Sequence, residues 1–142
     1  MNEKIFEGCY LITFSTFGDN DKGFLTVIES NKQIPFKLKR IYYIHNIGNI
    51  SEIRGPHAHK QTEQCFINIQ GKATYHLDNG IVKKKITLDE PNIGIYIGPK
   101  IWHYMNEFSK DIILLAVAST YFDENDYIRD YNEFLDYLTE RS

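Results

Sequence analysis

Two of the chain's five histidines stand one residue apart, in the run Arg54-Gly55-Pro56-His57-Ala58-His59-Lys60. In an extended strand the side chains alternate across the sheet, so His57 and His59 share a face and open onto one cavity. A free imidazole has a pKa near about 6.5, so each can give or take a proton near neutrality, and each can ligate a metal. Two adjacent imidazoles without partners would be costly in a core, which favours chemistry over packing as their reason for being there. His45 and His76 lack such a neighbour and read as surface or edge residues. Gln64 follows five residues after His59. Its neutral amide is a poor donor to transition metals but offers both a donor and an acceptor, which suits a hydroxyl or a water. Metal-free acid/base work is therefore favoured, with a metal site as the open alternative. Arg40 and Tyr42 share a face of their own strand and are pocket candidates. Arg54, beside the histidines, is a candidate anion contact, whereas Lys60 and Lys100 read as surface charges.

The elements that must hold these residues are mostly strands. Residues 10–14, 23–28, 37–45, 54–59, 64–70, 72–77, 81–88, 94–97, 102–108 and 112–119 are β-branched or aromatic runs set off by Gly, Pro, Asn and Asp. Asn79-Gly80 signals a two-residue hairpin turn with positive φ at both positions. In 64–70, Gln64, Phe66 and Asn68 fall on one face, and Cys65, Ile67 and Ile69 on the other. About ten short strands predict an all-β sandwich or barrel, not alternating βαβ units. The tail changes period. From Asp126 onward, Tyr127, Ile128, Tyr131, Phe134, Leu135 and Leu138 recur at helical spacing, predicting one amphipathic helix over about 125–140, capped by Asp123 or Asn125.

At 142 residues the chain suits a single domain spanning 1–142. Its net charge of −3 supplies no basic field for nucleic acid. No apolar run is long enough to cross a membrane, and the N-terminus lacks the apolar core of a signal peptide, so a cytoplasmic protein is expected. Cys9 and Cys65 read as two free thiols.

The spacing of Gly55, His57, His59, Gln64 and Gly71 resembles the first motif of the cupin barrels, with Gln64 where that motif usually has Glu. Gly94, Gly98-Pro99, His103 and Asn106 resemble the second. The resemblance implies a cupin-type double-stranded jelly-roll β-barrel in which His103 meets the histidine pair. Four segments carry it further: PFKLKRIYYI, RGPHAHKQTEQ, GIYIGPKIWHYM and ASTYFDENDYIRDY, in that order. Together they resemble the sugar 3,4-ketoisomerases, over about residues 23–131. That resemblance implies conversion of dTDP-4-keto-6-deoxy-D-glucose to a dTDP-3-keto-6-deoxyhexose through an enediol. No metal and no cofactor are implied, and the product would serve 3-amino-3,6-dideoxy sugars of bacterial surface glycans. The family's base carries over onto His57, with His59 as a second imidazole that relays a proton. Arg40, Tyr42, Gln64 and His103 would orient the sugar, and Arg54 is the first candidate for its pyrophosphate. Lys22 and Asn106 occupy positions where gluco and galacto types differ. A homodimer is also implied, commonly with strand exchange, the N-terminal strand being the exchanged piece. A metal-dependent cupin enzyme and a non-catalytic sugar-binding cupin remain as other readings.

Overall fold

The computed structural model describes residues 2–140. Two antiparallel sheets face each other, as expected for a jelly roll. Six strands form the larger sheet, in the order β1 (Asn2–Phe6), β2 (Cys9–Thr13), β10 (Ile93–Ile97), β7 (Gln64–Gln70), β12 (Ile113–Ala118) and β5 (Arg40–His45). The smaller sheet runs β13 (Tyr127–Ile128), β6 (Arg54–His59), β11 (Trp102–Asn106), β8 (Ala73–Asp78) and β9 (Lys83–Leu88). A separate hairpin, β3 (Thr16–Asp19) with β4 (Gly23–Thr26), stands apart from both.

Side-chain alternation determines what lies between the sheets. Phe66, Tyr75, Leu77, Ile95, Ile97, Met105, Leu114 and Ala116 point inward and form one buried core. The opposite face of β7 is covered too. Cys65 and Ile67 pack with Ile12, Phe14 and Val117 beneath Ile34 and Phe36, which come from the loop between β4 and β5. Burial on both faces explains why β7 reads as a nearly continuous apolar run. Gly94 sits in this second layer because a Cβ there would come within 2.8 Å of Phe14 and 2.9 Å of Ile67. Cys9 and Cys65 are buried and free.

The expected helix is present but shorter. Its first residues do other work: Glu124–Asp126 form a 3₁₀ turn capped by the Asp123 side chain, and Tyr127 and Ile128 pair with His59 and Ala58 as β13. The α-helix itself, α1, runs Tyr131–Glu140, with the Asp130 carboxylate accepting from the Glu133 N–H at its start. Its apolar face places Phe134, fully buried, on Ala58, Trp102 and Ile128 at the back of the smaller sheet. Burying one such ring stabilises the fold by about 1.5–3 kcal/mol. The helix therefore braces the strand that carries the histidine pair. A second departure lies at residues 79–82, where only Gly80 takes positive φ (92°). The Asn79 side chain instead accepts from the Ile81 and Val82 N–H groups, giving a four-residue loop rather than the expected two-residue turn.

Candidate active site

One irregularity in β6 determines what faces the cavity. On the partner strand His103 and Met105 are two residues apart, yet they oppose His57 and Arg54, which are three apart. The extra residue forms a β-bulge at Gly55 (φ 71°) and Pro56, residue types that a regular central strand excludes. Strict alternation would turn Arg54 and His57 to opposite faces. The bulge lets both line one cavity of about 520 Å³, with Arg40, Tyr42, His103, Phe122, Tyr127 and Arg129 also in its wall.

The three histidines converge. The His57 ring centroid lies 4.9 Å from that of His59 and 4.8 Å from that of His103, both edge to face. Ligating nitrogens from the three lie within 4.8 Å of one another. His59 and His103 are 2% and 1% exposed, which removes them from bulk water. Burial is the main reason that all three resist protonation, and their mutual repulsion adds to it for His57 and His103. The His57 pKa is pushed far down, and that of His103 to about 3. For His59 burial is opposed by Asp126, and the net shift is still downward. All three are thus neutral imidazoles near neutrality, the form that accepts a proton.

Their hydrogen bonds differ. His103 Nδ1 lies 3.2 Å from the Ile101 carbonyl, to which it can only donate, leaving Nε2 bare. His59 Nδ1 lies 2.9 Å from Asp126 Oδ2, and its Nε2 is also bare. His57 has a partner on neither nitrogen. Gln64 donates from Nε2 to the Tyr42 hydroxyl at 2.8 Å, while its Oε1 has no partner. Burial first, then the neighbouring Tyr127, pushes the Tyr42 pKa up to about 12, so the phenol stays protonated and can donate. Arg40 lies over the Tyr42 and Phe122 rings, with its Nε and one Nη buried and unpaired. So many bare, buried polar atoms in and just behind the wall of one hollow are costly in an empty fold and mark a ligand site.

Comparison with known proteins decides the family. The family model described as FdtA, WxcM-like, C-terminal matches residues 7–139. A TDP-4-oxo-6-deoxy-alpha-D-glucose-3,4-oxoisomerase of Aneurinibacillus thermoaerophilus is 44% identical over 90% of this chain and 91% of its own. The chain belongs to the sugar 3,4-ketoisomerase family. Solved members superpose closely on it. The 3,4-ketoisomerase QdtA of Thermoanaerobacterium thermosaccharolyticum, as a His-to-Asn mutant bound to TDP-4-keto-6-deoxyglucose, gives a TM-score of 0.91 at 37% identity, covering 96% of this chain and 98% of its own. A 3,4-ketoisomerase of Helicobacter canadensis gives 0.88 at 42% identity, over 92% and 97%. The cupin-type barrel expected from the histidine motifs is the family's fold.

Of the residues singled out in the sequence of this ketoisomerase-family chain, His57, His103, Arg40, Tyr42 and Arg54 line the cavity. His59 and Gln64 stand directly behind that lining, His59 against the other two imidazoles and Gln64 bonded to Tyr42. Lys22 and Asn106 do not. Asn106 is three residues past His103, so alternation turns it to the outer face of β11, where its Oδ1 meets His76 Nε2 at 2.7 Å. Lys22 lies in the exposed turn of the β3–β4 hairpin, its N–H bonded to the Asp19 carboxylate. The sequence reading missed four residues: Phe122, Asp126, Tyr127 and Arg129. The Tyr127 ring lies 4.4 Å from His59 and 4.9 Å from His57, and the Arg129 guanidinium lies 4.4 Å over the Tyr127 ring. The helix expected over about 125–140 hid Asp126, Tyr127 and Arg129, because only the pairing of β13 with β6 brings that stretch to the histidines; Phe122 lies just ahead of it.

Proposed function

We propose that this protein converts dTDP-4-keto-6-deoxy-D-glucose to a dTDP-3-keto-6-deoxyhexose, using the cavity above as its active site. The observation that carries the reading is the convergence of three buried imidazoles with bare nitrogens beside unpaired guanidinium atoms. The C3 proton of the substrate is acidified by the adjacent C4 carbonyl. His57, neutral and unpartnered, takes that proton, and the electrons pass to O4 as an enediolate. Charge on the oxygen is met by the Tyr42 hydroxyl and the Arg40 guanidinium, in a site where low dielectric strengthens both. A proton moves from O3 to O4 with His59 as the relay. The imidazolium of His57 then returns its proton to C4, and the C3 ketone remains. No atom is gained or lost. His103 and Gln64 Oε1 position the sugar hydroxyls, and Arg54 and Arg129 at the rim meet the pyrophosphate.

The test is NMR of the dTDP-4-keto sugar in D2O with wild type and His57→Asn. Wild type is expected to exchange the C3 proton and form the 3-keto product, and the variant to bind without exchange. Exchange at the wild-type rate in the variant would remove His57 as the base.

A second reading rests on one observation, the ligating distance among His57, His59 and His103. These three nitrogens could hold a divalent transition metal, with the neutral Gln64 adding no charge to the set, and the metal would supply Lewis-acid polarisation of a carbonyl. Turnover lost to a chelator and restored by zinc would favour it.

The proposal extends to assembly and place. The β3–β4 hairpin exposes Phe17, Phe24 and Leu25, each at least 60% accessible, and a two-stranded ribbon is marginal alone. This hairpin, rather than β1, is the piece offered to a second copy in a homodimer. Lys22 keeps a part in C4 stereochemistry only through such an exchange. Buried free thiols suit a reducing cytoplasm, and no helix among the described residues is long and apolar enough to cross a membrane. The product would feed 3-amino-3,6-dideoxy sugars of bacterial surface glycans.

A further inference from the structure

The three imidazoles are not equivalent in how they are held. His59 alone has a carboxylate behind it. Asp126 is fixed by more than that one contact: its Oδ1 accepts from the Gln61 N–H at 2.7 Å, and its Oδ2 from the Thr62 N–H at 3.3 Å and from the Thr62 hydroxyl. Its own carbonyl accepts from the Lys60 N–H at 2.9 Å. Those donors hold Asp126 ionised, outweighing the burial that acts against it. A carboxylate can only accept, so it fixes the proton of His59 on Nδ1 and points a bare Nε2 at His57 and His103. His57 has no such support.

We propose that Asp126 is a positioning residue that fixes His59 in its Nδ1–H tautomer, making His59 Nε2 the relay between the two sugar oxygens. This rests on the isomerase reading. In the enediolate, Nε2 accepts the O3 proton as the O3–H bond breaks, and the imidazolium passes it to O4 as the O4–H bond forms. Vicinal oxygens are close enough for one nitrogen to serve both. The transient positive charge on His59 sits against the Asp126 carboxylate, which costs the enzyme no reorganisation. The His57 proton stays reserved for carbon. The chain thus separates a carbon-directed imidazole without a carboxylate from an oxygen-directed imidazole with one.

The test is Asp126→Asn. The amide oxygen keeps the shorter backbone bond, from the Gln61 N–H at 2.7 Å. The NH₂ takes the Oδ2 position, where the Thr62 hydroxyl turns to accept from it and the longer 3.3 Å bond from the Thr62 N–H is given up. The NH₂ then faces His59 Nδ1 and drives the ring to the Nε2–H tautomer. Nitrogen NMR of histidine-labelled protein is expected to show His59 as Nδ1–H in wild type and Nε2–H in the variant. Turnover should fall about 100-fold or more, compared with about 10⁴-fold where an Asp that sets a catalytic histidine's tautomer becomes Asn. KM and the thermal midpoint should stay near wild type, and Asp126→Glu should recover part of kcat. A wild-type His59 carrying its proton on Nε2 overturns the proposal without any variant, even if Asp126→Asn fails to fold. Undiminished kcat in a folded Asp126→Asn, or parallel loss of kcat, binding and stability with no tautomer change, also overturns it. If wild type does not turn over the keto sugar, the isomerase reading fails, while the tautomer measurement still decides the role of Asp126.

Discussion

Acidification should unfold this protein through its histidines. A histidine with a folded pKa below its unfolded value binds fewer protons folded than unfolded throughout the interval between the two. Stability is therefore intact above the unfolded pKa and is lost as pH falls toward the folded one. His103, whose folded value is lowered to about 3, and His57, lowered further, both stay neutral in the fold at pH 5. An imidazole with an unfolded pKa of about 6.5 that cannot ionise when folded costs about 2 kcal/mol at pH 5, and almost nothing at pH 7.5. The two together remove about 4 kcal/mol, a large share of the roughly 5–15 kcal/mol that holds a typical domain folded. Urea unfolding followed by the fluorescence of Trp102, the chain's one tryptophan, at fixed protein concentration and at pH 7.5 and 5.0 measures the loss. Carboxylates also titrate, so the decisive comparison is with His103→Asn. Its loss between the two pH values should be smaller than that of wild type by about 2 kcal/mol. A wild type equally stable at both values, or a variant with an unchanged loss, would refute the reasoning that burial keeps these rings neutral.

Gln64→Glu places an anion among three imidazoles and should raise zinc affinity at least about tenfold, read by calorimetry, since a carboxylate is the better metal ligand. Arg54→Ala and Arg129→Ala should each weaken TDP binding about tenfold with little change in kcat, as expected for charge-assisted contacts to the non-reacting phosphates. Unchanged affinity in both would move the pyrophosphate elsewhere. Phe24→Asp on the hairpin should lower the mass seen by light scattering from dimer to monomer; a dimer of unaltered stability would clear that hairpin of any part in assembly.

Much of the site was legible in the sequence because it follows from local geometry. His57 and His59 share a face for the same reason that Arg40 shares one with Tyr42: a strand repeats every two residues. Gln64 in place of a carboxylate could be read in the same way. Legibility ended where a residue's place depends on what it pairs with. Asn106 shares with His103 the second motif that carries the resemblance, yet an odd offset along β11 sends it to the other face. Tyr127 fits a helical period, yet becomes a strand residue because β6 offers an open edge to pair with.

The residues by themselves determined which chemistry is possible: paired imidazoles, an amide where a metal would want charge, and a family of enzymes built on that pattern. Only the tertiary structure decided which groups meet. The β-bulge at Gly55 turns Arg54 into the cavity, the register of β11 against β6 sets His103 opposite His57, and the pairing of β13 with β6 brings Asp126 behind His59, 67 residues away in sequence. The physical reason is one of range. Backbone dihedrals impose a repeat on neighbouring residues and can be read from their order, whereas register is chosen by hydrogen bonding and packing between segments that the order does not connect.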